Sequence, residues 1–398
     1  MTNSTKYQVV SALMPTVSLF ASGSYIQTFL SESKISLSAI STFTSALSLV
    51  QIIVMIINIF AVDRIKNVLR FQKVLMIGCF IGCAALVPAC LAHDINGKLF
   101  GYIVAVCLVV NAVMGLYNVL SFKMAYHVVN MDEYSAITNN ISIVSGILAI
   151  IIGMIISQLA YVTDFSNVMI GGFVICMLFC LLSAFFTASM KPNTGYREEK
   201  NRGRFSFTLL KKREFTYFYI PNLIRGLSMS AVNVMPLIFV KSISSNSAAI
   251  SMLVNIMSIS TIAGCILYRL IVKKVKTVTV YFVSSVAIFL FMPALLLGYS
   301  IAVFYVFYFF LGLFYNINAV AAAVYPAEYV EYDHIGTYTS VRLIILTIGQ
   351  AAGAYIIGIV INSIPSLAIL LVCAILQLAS GIAFWKYKNQ PATDTEQA

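Results

Sequence analysis

Charge is scarce in this chain. Only 10% of its 398 residues are Asp, Glu, Lys or Arg, against 60% that are hydrophobic, whereas a soluble domain carries about 25% charged residues. With a mean hydropathy of +0.93, the surface must face lipid rather than water. Acids are the rarest charges. No Asp or Glu lies well inside any apolar run, so the midplane carboxylate that usually carries a proton or sodium ion is missing. Ten-residue alternating segments are also missing, which excludes a membrane barrel and leaves helices. There is no Walker-type Gly-rich loop, no HExxH and no His/Cys/acid cluster, and His93, His127 and His334 all sit near loops. An enzyme is therefore not expected, nor a cofactor or a metal. All eight cysteines fall inside apolar runs, where no extracellular disulfide would form. Cys79/Cys83 and Cys176/Cys180 are spaced i, i+4 but lack further ligands and read as small packing residues. No cleavable signal peptide is expected, because the first apolar run begins near Tyr7 and is long enough to span.

Twelve apolar runs are present, at about 7–30, 37–62, 74–92, 99–123, 136–159, 167–190, 215–240, 246–270, 278–298, 300–325, 341–363 and 366–387. Each has about 20 residues or more, enough to cross a bilayer at about 1.5 Å per residue. Between the sixth and seventh lies the one long charged stretch, 191–214, with Lys191, Arg197, Lys200, Arg202, Arg204, Lys211, Lys212 and Arg213. The expected organisation is a six-helix bundle over 1–190, a linker over 191–214, a second bundle over 215–388 and a tail over 389–398. Lys34, Lys98 and Lys241 are the only cations in the odd-numbered connections. The even-numbered ones hold Arg64, Lys66, Arg70 and Lys73, then the linker, then Lys273, Lys274 and Lys276. Basic loops belong on the cytoplasmic side, which puts both termini, the linker and the tail there, in the plasma (inner) membrane. This placement also accounts for the net charge of +11 without a nucleic-acid partner.

The two halves repeat. Gly115-Leu116-Tyr117-Asn118 in the fourth run recurs as Gly312-Leu313-Phe314-Tyr315-Asn316 in the tenth. Each is followed by an acidic, Tyr-bearing loop, Met131-Asp132-Glu133-Tyr134 and Val330-Glu331-Tyr332-Asp333. Parallel six-helix repeats with a midplane site between them are a transporter architecture. Asp63-Arg64 closes the second run ahead of a basic cluster, and Ala327-Glu328-Tyr329-Val330-Glu331-Tyr332 precedes Thr337 after the tenth.

On these residues the chain resembles the major facilitator superfamily, and within it the glycoside–pentoside–hexuronide:cation symporters. The resemblance implies an all-α membrane protein of twelve transmembrane helices in two pseudo-symmetric six-helix bundles. It also implies a cytoplasmic gate built from Asp63, Arg64, Glu328, Glu331 and Arg342. The departures are specific. Ile59 and Lys66 stand where the family's loop signature has glycine, and Tyr338 and Ser340 stand where its later turn has Gly and Arg. Gln51 and Met55 occupy the places of the family's two cation-site carboxylates, with Ile56 in place of Pro. The family implies sodium or proton co-transport; the missing acids point instead to facilitation or exchange.

One cation is deep. Arg225 lies about ten residues into the seventh run, roughly 15 Å deep, where an unpaired charge costs at least a few kcal/mol. It is expected either to contact substrate, with Asn222 and Asn233 on the same side, or to bond neighbouring helices. Uncharged polar residues populate other runs, and Tyr25, Asn118, Tyr315, Asn316 and Gln350 are the further candidates for substrate contact; Ser24, Gln27, Asn111, Asn255 and Asn318 are also in this polar set. The expected cargo is a sugar, glycoside or related small polar solute, carried by a monomer. Three other readings stay open: an organic-anion (uronide) facilitator using Arg225, an amphiphile flippase or exporter, and a non-transporting membrane sensor.

Overall fold

The computed structural model describes residues 1–61, 65, 67–92, 95–129, 131–191, 213–272, 274–324 and 332–387. Those residues are helical almost throughout. The first half contains α1 (Asn3–Leu13), α2 (Pro15–Ala21), α3 (Ser24–Glu32), α4 (Leu37–Ala61), α5 (Val68–Cys90), α6 (Gly97–Val128), α7 (Met131–Val162) and α8 (Phe165–Ala188). The second contains α9 (Arg213–Asn233), α10 (Met235–Ser242), α11 (Ser247–Val272), α12 (Thr277–Ala294), α13 (Ile301–Val324), α14 (Tyr332–Val360) and α15 (Ser366–Tyr387). Eleven segments are long and apolar enough to cross a bilayer, and the bent pair α9–α10 makes a twelfth.

Two expected single helices are broken. The first run folds as α1, α2 and α3: Pro15, which has no N–H, starts a fresh helix at its first position, and the chain leaves helical geometry again at Ser22-Gly23. The seventh run bends by 49° between Asn233 and Met235, just ahead of Pro236. Corresponding spans of the two halves, the first and the seventh, are thus both interrupted. Elsewhere the helices outrun the apolar stretches. α5 starts at Val68, where the Asn67 side chain accepts from the Arg70 N–H at 3.0 Å and caps the orphan donors. α14 starts at Tyr332, nine residues before the apolar run, because polarity sets where a helix leaves lipid and not where its hydrogen bonding ends.

Packing repeats with an offset of six spans. In the first bundle α5 lies on α8 and α6, α4 on α6, and α1 on α7. In the second α12 lies on α15 and α13, α11 on α13, and α9 on α14. The sequence repeat falls at matching positions in this pattern. A Cβ on Gly115 would meet Val54 of α4, and one on Gly312 would meet Ser260 and Met257 of α11. Each glycine lets the fourth span of its bundle close on the second. Between the bundles, α4 packs on α14 and α7 on α11, while α3 touches α10 and α11.

Asn3 donates to the Lys191 carbonyl at 2.7 Å, and Lys6 to that of Ser189 at 2.8 Å. The start of α1 therefore sits at the end of the bundle from which the linker leaves. Among the described residues, hydrogen bonds between the bundles gather toward the opposite end. Ser41 donates to the Ala354 carbonyl at 2.6 Å, Ser45 to Ala351 at 2.8 Å, and Ser157 to Ala248 at 2.9 Å. The molecule is closed at the end away from the linker.

Candidate functional site

Between the bundles, beside both helix breaks, lies a cavity of about 370 Å³. Its wall from the first bundle comes from the Ser22–Gln27 break, from Thr44, Leu47, Ser48 and Gln51 on α4, and from Asn111 on α6. The second bundle contributes Val232 and Asn233 at the end of α9, residues of α11 including Met257 and Ser258, Tyr308 and Tyr315 on α13, and Gln350 on α14. Helical spacing explains the selection: Thr44, Ser48 and Gln51 fall at i, i+4 and i+7, one face of α4, and Tyr308 and Tyr315 are two turns apart on α13. Among the described residues, no Asp, Glu, Lys, Arg or His lines it. Hydroxyls, amides, phenols, aliphatic groups and the Met257 thioether make up the described wall.

The polar side chains are held by defined bonds. Gln27 is 3% exposed; its Nε2 donates to Thr44 Oγ1 at 3.3 Å and across the seam to the Asn233 carbonyl at 3.1 Å. Gln51 Nε2 donates to Asn111 Oδ1 at 3.3 Å, and Asn111 Nδ2 donates to the Leu47 carbonyl at 2.8 Å. Next to the cavity, Asn255 of α11 lies against Gly153 of α7. Oriented to satisfy both its atoms, its amide donates to the Ile150 carbonyl at 3.2 Å and accepts from the Met154 N–H at 3.3 Å.

Of the residues expected at the site, Asn233, Tyr315 and Gln350 line the cavity. Arg225 does not; of its two expected roles, the structure shows a bond to a neighbouring helix. It is 2% exposed and lies inside the second bundle, where Nε donates to Asn318 Oδ1 at 2.9 Å. Asn318 Nδ2 donates in turn to the Tyr281 carbonyl and to Ser284 and Ser285, at 3.1, 3.1 and 3.0 Å. Gln377 donates to both Ser285 and Asn318, at 3.3 Å each. Asn318 thus accepts from the guanidinium and is itself held by α12 and α15. Asn222 is fully buried and outside the lining, as is Tyr25, which packs on Phe20 with ring centroids 4.8 Å apart. Asn316 turns to its own bundle, donating to Thr261 at 3.0 Å and to the Gly312 carbonyl at 2.7 Å. Asn118 is exposed on α6 and lines no part of the cavity.

Asp63, Arg64, Glu328 and Glu331, four of the five expected gate residues, lie outside the described residues. The fifth, Arg342, is buried on α14 and donates to the Ala322 carbonyl at 3.2 Å. Sequence reasoning did not single out Gln51, Thr44, Ser48 or Tyr308 as substrate contacts. The available signal was their common spacing along one helix face.

Solved structures resemble this one over nearly its whole length. The nucleoside transporter NupG matches with a TM-score of 0.73 at 13% identity, over 98% of this chain and 100% of that one. The D-xylose-proton symporter matches with a TM-score of 0.74 at 11% identity, over 96% and 97%. An inward-open conformation of the xylose transporter XylE from E. coli matches at 0.72 and 12%, over 96% and 95%. No family model matches the sequence, and no curated protein does. The chain has the fold of the major facilitator transporters: two pseudo-symmetric six-helix bundles with a cavity at their seam.

Proposed function

We propose that this protein is a secondary transporter that moves a small, polar, uncharged solute through the central cavity by alternating access. The carrying observation is the cavity itself: about 370 Å³, at the seam of the two bundles, beside two interrupted helices, its described lining polar and without a formal charge. That volume suits a monosaccharide or nucleoside, and the similar structures include a nucleoside transporter and a xylose symporter. A uronide or other organic anion fits less well, because Arg225 is bonded within the second bundle and, among the described residues, no cation lines the cavity.

The positive-inside distribution makes the linker end cytoplasmic. The end bonded by Ser41, Ser45 and Ser157 then faces outward. Asp63, Arg64, Glu328, Glu331 and Arg342 supply the cytoplasmic gate. Among the described residues, the wall offers no group that could bind and release a proton near neutral pH, which favours facilitated diffusion or exchange over ion-driven uptake. The test is uptake by proteoliposomes of labelled D-xylose, uridine and D-glucuronate: saturable flux of a neutral probe is expected, and saturable flux of glucuronate alone would contradict the reading.

A further inference from the structure

The sequence presents Cys79/Cys83 and Cys176/Cys180 as two i, i+4 pairs without further ligands. The fold gives each pair to the other. α5 lies on α8, and as the third and sixth spans the two helices cross the bilayer in opposite directions. Their contact runs as a ladder. Toward one end Thr187 donates to Met76 Sδ at 3.6 Å. Further along, the Cys180 thiol hydrogen-bonds with Cys79 and the Cys176 thiol with Cys83. Residues four apart share a helix face, so the two thiol pairs are rungs one turn apart. All four thiols are buried, and none lines the cavity. Cys176 Sγ also donates to the Thr16 carbonyl of α2 at 3.8 Å.

Thiols gathered in this way suit a soft metal ion. Among the described residues, no three His, Cys, Asp or Glu side chains are placed to hold one ion together, so the four-coordinate zinc arrangement is not built here. Two facing sulfurs are. A linear bridge keeps its sulfurs roughly 4.6 Å apart, two bonds of about 2.3 Å, a spacing near that of thiols in hydrogen-bond contact. A disulfide would have to draw them to about 2.05 Å. Charge then selects the ion. A divalent cation that takes the place of both protons leaves a neutral product: M²⁺ + 2 RSH → M(SR)₂ + 2 H⁺. A monovalent cation leaves a net negative charge, which apolar surroundings penalise.

We infer that Cys79/Cys180 and Cys83/Cys176 are two binding sites for a soft, two-coordinate divalent cation of the mercury(II) type, one ion to each rung. Both helices belong to the first bundle. A filled rung therefore ties that bundle to itself and leaves the seam and the cavity free.

The experiment uses the full chain in lipid nanodiscs, carrying Cys90→Ala, Cys107→Ala, Cys265→Ala and Cys373→Ala so that the ladder holds the only thiols. Mercury(II) chloride, which enters lipid as a neutral species, is the probe. Native mass spectrometry counts the ions on each chain, and X-ray absorption counts the sulfurs on each ion. The expected result is two ions per chain, two sulfurs per ion and a raised melting temperature. Cys79→Ala with Cys180→Ala should lose one ion and keep the other, and Cys83→Ala with Cys176→Ala should do the same. If the four-alanine background fails to fold, the same two double substitutions in the wild-type chain should each remove one two-sulfur ion. Four ions held by one sulfur each would show that the thiols react singly and would overturn the inference. One ion held by three or four sulfurs, or a count that neither double substitution changes, would overturn it as well.

Discussion

The Gln27 side-chain amide and the Asn233 main-chain carbonyl lie 3.1 Å apart and join the two bundles where spans one and seven both break. Asn233 ends its helix, so its carbonyl is free of the helical ladder and can serve a partner from the other bundle. Gln27→Leu removes this bond and the one to Thr44, about 0.5–1.5 kcal/mol each. The expected outcome is a wider spread of spin-label distances between the bundles at the end away from the linker. An unchanged distribution would show that the bond does not hold the seam.

The Asn255–Gly153 contact should behave as a steric pin. A Cβ at position 153 would overlap the Asn255 amide, so Gly153→Ala should lower stability by about 1–3 kcal/mol through overpacking. Gly171→Ala is the control, since a Cβ there meets nothing within 4 Å. Thermal unfolding of both variants in detergent checks the difference; equal melting temperatures would contradict the contact.

Arg225 is expected to act on stability and not on cargo affinity. Arg225→Lys replaces a planar fork with a point charge that cannot reproduce the bond to Asn318. Asn318→Leu leaves the guanidinium without that acceptor and should cost more than about 1–3 kcal/mol, the range for a neutral orphan. Both should unfold at lower temperature with KM for the transported solute nearly unchanged. A tenfold rise in KM at unchanged melting temperature would place Arg225 at the cargo after all.

The sequence carried the fold more fully than the site, for a physical reason. Lipid demands continuous apolar runs, and these are countable; the Gly115/Gly312 repeat even marked equivalent packing positions. Arg225 shows what depth leaves out. Depth follows from position along a helix, but the direction a side chain takes follows from its neighbours. The acceptor that fixes Arg225 is Asn318, 93 residues away. Asn233 was grouped with it, yet eight residues rotate a helix by about 80° beyond two full turns, and Asn233 reaches the cavity where Arg225 does not. Gln51 was weighed only as a failed cation ligand. Its bond to Asn111, on another helix, makes it part of a neutral wall instead.

Ion gradients should not drive uptake. Among the described residues, the cavity lining contains no carboxylate or imidazole, and Gln51 and Met55 supply no charged ligand for sodium. Flux of a neutral probe should run to equilibrium and respond by less than about twofold to an imposed inward proton or sodium gradient. Accumulation above equilibrium, or strong sodium stimulation lost in Gln51→Ala, would show that a coupling site exists.

The most direct test of the account is counterflow through a filled and an unfilled cavity. Proteoliposomes loaded with unlabelled D-xylose or uridine are diluted into trace label, with wild-type protein in one set and Ser48→Phe in the other. Ser48 lines the cavity, and a phenyl ring there occupies space the cargo needs. The account predicts a transient overshoot of label for the wild type with at least one probe and its loss in Ser48→Phe at equal reconstitution and melting temperature. No overshoot with either probe, or an overshoot that survives the filled cavity, would contradict it.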